Sequence, residues 1–197
     1  MIAYLHGEIT HKTPAFIYIE CNGVGYHVNI SLNTYSKLEG LNKVKIYTYM
    51  SVREDDQSLY GFFDDDERSI FILLISVSGI GVNTARVILS YMNPDEIRTA
   101  IIHDDAFAFS KAKGVGPKTA KRIILDLKDK VIRESGQEQI VIQDSSVKSI
   151  HQEAVFALVA LGFPKPLVEK QVRQIVSKQP EISQVEELIK MALKQMG

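Results

Sequence analysis

Ser78-Gly79-Ile80-Gly81-Val82-Asn83-Thr84-Ala85 and Lys113-Gly114-Val115-Gly116-Pro117-Lys118-Thr119-Ala120 are two copies of one pattern, G-[IV]-G-x-x-T-A, each followed by an apolar helical continuation. Two glycines separated by one aliphatic residue make a tight turn that can take positive φ and approach a ligand with no Cβ in the way. The aliphatic residue anchors the turn in a core. A helix starts directly afterwards, so free backbone N–H groups and the positive end of the helix dipole point out of the same turn. That combination is an anion site, and phosphate is the expected anion. Helix is also expected before each copy, over Ile70-Phe71-Ile72-Leu73-Leu74-Ile75 and Phe107-Ala108-Phe109. The unit reads helix, Gly-rich hairpin, helix.

A single G-x-G turn also caps helices that hold no ligand. Two copies weigh differently. Gly79 and Gly114 stand 35 residues apart, which leaves room for an intervening helix that starts at Asn93-Pro94-Asp95-Glu96, with Asn93 as N-cap and Pro94 in the first helical position. Paired hairpins of this kind can hold phosphates of one backbone or of two facing strands without touching a base edge, and so bind DNA by shape. Charge favours the second hairpin. Lys111 to Arg133 carries eight cations against two carboxylates, whereas the first hairpin has only Arg86 nearby. A solvated helix face would also explain this, since Asp126 and Lys130 make an ordinary i,i+4 pair. Phosphate contact is favoured for Lys118, Lys121 and Arg122, because cations in a helix's first turns oppose its dipole and need another reason to be there.

The chain has 197 residues, enough for one large domain or two to three small ones, and a formal net charge of −1. Such a balance excludes a general polycation, so a DNA surface has to be local. Cys21 is the only cysteine, which rules out an intramolecular disulfide and fits a reducing cytoplasm. Met1-Ile2-Ala3-Tyr4-Leu5-His6 lacks the basic start and long apolar core of a signal peptide, and the most apolar run, Ile70 to Val77, is too short to span a bilayer. A soluble cytoplasmic protein with no membrane partner is expected.

Residues 1–63 read as strands. Met1–Thr10, Ala15–Glu20, Tyr26–Ile30, Val44–Val52 and Ser58–Phe63 are rich in β-branched and aromatic residues with period-two alternation, broken by Lys12-Thr13-Pro14 and Asn22-Gly23-Val24-Gly25. Five strands, with a short helix over Asn33–Leu38 between the third and fourth, predict a small closed barrel of OB type. The loop Arg53-Glu54-Asp55-Asp56-Gln57 joins the last two strands. It reads as a solvated turn, as a Mg²⁺ site short of ligands, or as a negative pin that repels phosphate. Asp64-Asp65-Asp66-Glu67 then matches the positive end of a helix over Arg68–Ser76 and is read as its cap, ahead of a nuclease-like metal cluster.

Beyond Arg133 the composition turns polar, and 135–149 reads as a flexible linker. Three amphipathic helices follow, over His151–Leu161, Pro166–Lys178 and Ser183–Met196, the last with Ser183 and Glu186 as a capping box. This bundle, 150–197, resembles a ubiquitin-associated fold. Leu161, Gly162 and Phe163 are its candidate contact surface, although helix stop and core packing would account for Phe163 equally well. A tethered bundle without a catalytic cluster suits docking better than catalysis. The five histidines, His6, His11, His27, His103 and His151, show no metal-ligand spacing, neither hairpin is a P-loop, and no cofactor is expected.

In that order, barrel (1–63), acidic loop, tandem helix-hairpin-helix domain (64–134), linker and three-helix module, the chain resembles the RuvA family of bacterial Holliday-junction branch-migration proteins along essentially its whole length. The resemblance rests on Gly23-Val24-Gly25-Tyr26, Val52-Arg53-Glu54-Asp55, Leu59-Tyr60-Gly61-Phe62, both hairpins, Leu125-Asp126-Leu127-Lys128-Asp129-Lys130, and Glu153-Ala154-Val155-Phe156-Ala157-Leu158-Val159-Ala160-Leu161-Gly162. It implies a multidomain α+β protein that acts in recombination and DNA repair as a tetramer, or an octamer of two facing tetramers, on four-way junction DNA. Gly79, Gly81, Thr84, Arg86, Gly114, Gly116, Lys118, Thr119, Lys121 and Arg122 would contact DNA. Glu54 and Asp55 would form the family's acidic pin at the crossover. The last module would recruit the ATPase RuvB, with the resolvase RuvC in a larger complex, so this chain would itself be non-catalytic. One departure stands out: the family usually has Pro-Lys after the first hairpin's second glycine, where this chain has Val82-Asn83. A helix-hairpin-helix glycosylase or nuclease, and a protein adaptor that ignores DNA, are the competing readings.

Overall fold

Alternation of β-branched and polar residues forms the first third of the chain into five strands: β1 (Tyr4–Lys12), β2 (Phe16–Cys21), β3 (Val24–Ile30), β4 (Lys43–Val52) and β5 (Gln57–Phe62). The computed structural model describes residues 1–138, 147–179, 182 and 184–196. Ile17 and Ile19 of β2 and Val44 and Ile46 of β4 point into a common core while their neighbours face out, as the two-residue period demands. The strands close into a barrel in the order β1-β2-β3-β5-β4. All pairs are antiparallel except β3 with β5, where Val28 stands opposite Leu59, and Tyr4 opposite Tyr47 closes the ring. This is the OB-type barrel. Compared with the expected ranges, β1 begins at Tyr4 and runs on to Lys12 through a bulge between Ile9 and His11.

Between β3 and β4 lies a short helix, α1 (Leu32–Lys37), capped by the Ser31 hydroxyl. Five helices follow the barrel: α2 (Asp65–Ile75), α3 (Val82–Tyr91), α4 (Pro94–Ile102), α5 (Ala106–Ser110) and α6 (Pro117–Glu138). Asn93 and Glu96 make a reciprocal capping box at the start of α4, with Pro94 in the first turn. One apolar core runs from Tyr60 and Phe62 of β5 through Phe71 of α2 to Leu89, Phe109 and Ile123. The barrel and these helices accordingly form one compact unit, Met1–Glu134.

The acidic run at the start of α2 divides its roles. Asp64 caps the helix by accepting from the Glu67 N–H at 2.8 Å, and Asp65 and Asp66 lie exposed in the first turn. Glu67 turns inward instead and is fully buried, accepting from the hydroxyls of Ser31 and Thr34, the latter at 2.8 Å. A buried carboxylate persists only when its oxygens are bonded in this way. Sequence reasoning missed this rivet between α1 and α2, because four consecutive acids carry no mark of which one faces inward.

Burial raises the Glu67 pKa above the ordinary glutamate value of 4.5, and the two hydroxyls and Lys37 only partly oppose it. The folded protein therefore binds more protons here than the unfolded chain, and stability from this residue declines as pH rises above 4.5 into the raised range. Glu67→Gln should thus gain stability relative to the parent between pH 4.5 and neutrality, as read by urea denaturation at both values. An unchanged difference would show that Glu67 is not shifted.

The second unit, Ser135–Gly197, holds the bundle of α7 (Val147–Ala160), α8 (Lys165–Lys178) and α9 (Val185–Met196). Ala154, Leu158, Val168, Val172, Ile175 and Leu188 form its buried centre. Of the expected linker 135–149, residues 139–146 lie outside the described residues, while 135–138 belong to α6 and 147–149 to α7. The expected N-cap Ser183 also lies outside them. Among the described residues no helix is long and apolar enough to cross a membrane.

Candidate nucleic-acid interface

The two hairpins have the same geometry. Gly79 takes φ +93° and Gly114 φ +92°, a left-handed conformation that side-chain-bearing residues rarely adopt. One residue on, the Ile80 N–H donates to Val77 O at 3.0 Å and the Val115 N–H to Ala112 O at 3.1 Å, closing each turn. Ile80 and Val115 are buried in the shared helical core. Each side chain contributes roughly 1.5–3 kcal/mol by that burial. The second glycine of each pattern then opens a helix. Ala85 N–H donates to Gly81 O at 3.0 Å and Ala120 N–H to Gly116 O at 2.9 Å. Gly81 offers no side-chain cap, so the leading N–H groups of α3 remain for an outside acceptor.

All four glycines face open space. A Cβ placed on Gly79, Gly81, Gly114 or Gly116 would meet nothing within 4 Å, so internal packing does not explain the missing side chains. The turns present bare backbone amides at the positive ends of α3 and α6, the arrangement that receives a phosphate.

Side chains differ between the two turns. Lys113, Lys118, Lys121 and Arg122 are exposed around the second hairpin, and Arg122 reaches Asp126 at 3.6 Å. Thr84 and Thr119 occupy matching half-buried positions. In the first hairpin, Arg86 is turned to the barrel, donating from Nη1 to Ala15 O and Asn29 Oδ1, both at 3.1 Å. Asn83, at the place of Lys118 in the second copy, accepts from the Tyr60 hydroxyl at 3.2 Å. No local pattern signals this bond, which joins residues 23 positions apart.

Glu54 and Asp55 are exposed at the tip of the β4–β5 hairpin, whose register pairs Val52 with Gln57. The turn is closed by the Arg53 N–H to Asp56 O at 2.8 Å, and Asp56 also accepts from the Ser58 hydroxyl at 2.7 Å. Asp56 is thereby a structural member of the loop, and Glu54 and Asp55 carry their charge outward. Among the described residues no group of three His, Cys, Asp or Glu side chains could hold a metal ion.

In the bundle, α7 ends where the Phe163 N–H donates to Leu158 O at 3.2 Å around Gly162, which takes φ +97°. Phe163 packs against the core, and Leu161 beside it stands exposed. Phe156 and Val159 are exposed as well and line a groove between α7 and α8 together with Val155, Val172 and Arg173.

Comparison with known proteins accounts for all three segments. Residues 1–61 match the RuvA N terminal domain, 71–129 a SAM-like helix-hairpin-helix tandem and 149–197 the RuvA C-terminal domain. The chain is 45% identical over 196 residues, the full length of both chains, to the Holliday junction branch migration complex subunit RuvA of Christiangramia forsetii. The protein belongs to the RuvA family. Relatives of the same description from Bacteroides thetaiotaomicron and Cytophaga hutchinsonii are 47% identical over 203 residues, covering 100% of both chains, and 43% over 197 residues, covering 98% of this chain and 99% of the relative. In RuvA terms the barrel and bundle are the N- and C-terminal domains, and the two Gly-x-Gly hairpins fall within the tandem between them.

Proposed function

We propose that this chain is the junction-recognition subunit of a branch-migration complex: it binds four-way DNA, holds it open and planar, and recruits the ATPase RuvB to drive the arms. The observation that carries the reading is the duplicated hairpin, two turns of equal φ with four glycines facing open space beside a cluster of exposed cations. Backbone amides and lysines grip phosphates of any sequence, so selectivity has to come from the shape of the DNA. A single module offers two such grips. Four copies around a four-way junction would supply them to every arm, with RuvC joining the larger complex and a second tetramer able to close the other face.

Glu54 and Asp55 then serve as an acidic pin at the crossover. Two exposed carboxylates near phosphates raise the energy of any strand that passes close, which separates strands at the point of exchange. Glu54→Gln with Asp55→Asn should leave junction affinity unchanged or raise it by up to about tenfold, one repulsive contact being worth on the order of 1 kcal/mol. Anisotropy titration checks this, and weaker binding would mean that the loop holds a metal or supports the fold.

Exposed Leu161, with Phe156 and Val159, is the docking surface for the motor on the last module. The chain itself is non-catalytic. Labelled junction incubated with the protein and Mg²⁺ should remain uncut, and cleavage products would favour a helix-hairpin-helix nuclease.

A further inference from the structure

The two hairpins share a backbone but not a division of labour. Positions that carry the exposed Lys118 and Lys121 in the second copy carry Asn83 and Arg86 in the first, and both of these are bonded to the barrel. The rest of α3 is tied down on the same side. The Asn33 amide donates to Leu89 O at 3.0 Å and to Met92 O at 3.3 Å, and the Leu32 N–H donates to the Ser90 hydroxyl at 3.1 Å. Tyr60 sits on β5, the strand that leaves the acidic tip, four residues beyond Asp56. Its hydroxyl is within the electrostatic reach of Arg86, Asp56 and Arg53. The ring is buried and stacked on Phe71 at 5.5 Å, so the hydroxyl is delivered to Asn83 from a fixed base.

The geometry points to Tyr60 and Asn83 as positioning residues: their hydrogen bond sets the separation between the acidic tip and the first phosphate site, and thereby the preference for four-way over linear DNA. The inference rests on the proposed function. In this arrangement the first hairpin is a spacer that reads shape, and the second hairpin supplies the salt-dependent grip. A linear duplex needs only the grip. A four-way junction has to place its crossover on the tip and an arm on the first hairpin at once, so a loose spacer costs affinity for the junction alone.

Anisotropy titrations of the full chain with a four-way junction and with a duplex of the same sequence, across a salt series, test this. Tyr60→Phe removes only the hydroxyl. It should lower the junction-to-duplex affinity ratio at least about threefold while duplex affinity and salt slope stay at parental values, since no phosphate contact is lost. Asn83→Ala, at an exposed position, should do the same, and the double variant should fall no further than either single one. Asn83→Lys should steepen the salt slope by about 0.9, one added phosphate contact, and lower the ratio. A parental ratio in folded Tyr60→Phe and Asn83→Ala would overturn the inference. Absence of junction preference in the parent would instead overturn the functional reading beneath it.

Discussion

Replacing Gly81 and Gly116 together by leucine is expected to weaken binding to a four-way junction by about 10²–10⁴-fold while the protein melts at its parental temperature. The first half of that expectation follows from the chemistry of the turn. In the proposed function each hairpin offers amides to a charged phosphate oxygen, and a hydrogen bond to a charged group is worth roughly 1.5–3 kcal/mol. Blocking both turns therefore removes about 3–6 kcal/mol. The second half follows from space: a Cβ at either glycine meets nothing within 4 Å, so the leucine projects into the ligand's place and not into the protein. Gly79 and Gly114 would be poorer probes. At φ +93° and +92° any side chain is strained, at a cost of about 1–3 kcal/mol, and lost binding could not be separated from lost folding. Electrophoretic titration beside a thermal melt checks the expectation. Parental affinity in a folded Gly81→Leu/Gly116→Leu protein would remove the hairpins from the site.

Neutralising Lys118, Lys121 and Arg122 to glutamine is expected to have the next largest effect, of a different kind. Each cation that meets a phosphate releases condensed counterions, so the three substitutions should flatten the plot of log affinity against log salt by about 2.7 and lower affinity about 10–100-fold at low salt. The loss should be equal for junction and duplex, because these side chains read charge and not shape. Arg122 is already shared with Asp126 at 3.6 Å, so its single variant should contribute least of the three. An unaltered salt slope would return these residues to the status of a solvated helix face.

The contrast between the two hairpins also explains what could be read from sequence and what could not. Turn chemistry was legible because it is local. Gly-x-Gly before a helix start, Asn93-Pro94 with Glu96 three residues on, and alternation such as Phe16-Ile17-Tyr18-Ile19 all act within a few residues; the hairpins and the α4 cap lie where those signals place them, and the five barrel strands form with shifted ends, β3 starting at Val24 inside the expected turn. Interactions that cross the chain were not legible. Glu67 reaches Ser31 and Thr34 across more than thirty residues, and it follows three acids of which Asp64 caps the helix and Asp65 and Asp66 lie exposed in its first turn. By sequence alone Arg86 is a cation beside a phosphate-binding turn. Its partners, Ala15 in the turn between β1 and β2 and Asn29 on β3, come near only in the tertiary fold. Val82-Asn83 was visible as a departure from the family's Pro-Lys, but its physical content, the Tyr60 hydroxyl, belongs to another element. A substitution that removes a charge from the surface thus becomes, in the folded protein, a brace between the barrel and the first hairpin.

The most direct test of the account is a gel-shift titration at fixed salt, without Mg²⁺ or ATP, that compares a synthetic four-way junction with linear duplex of the same sequence. A discrete complex with the junction is expected at protein concentrations that leave the duplex free. Equal affinity for the two, or no binding to either, would contradict it and leave a protein-docking adaptor as the reading to pursue.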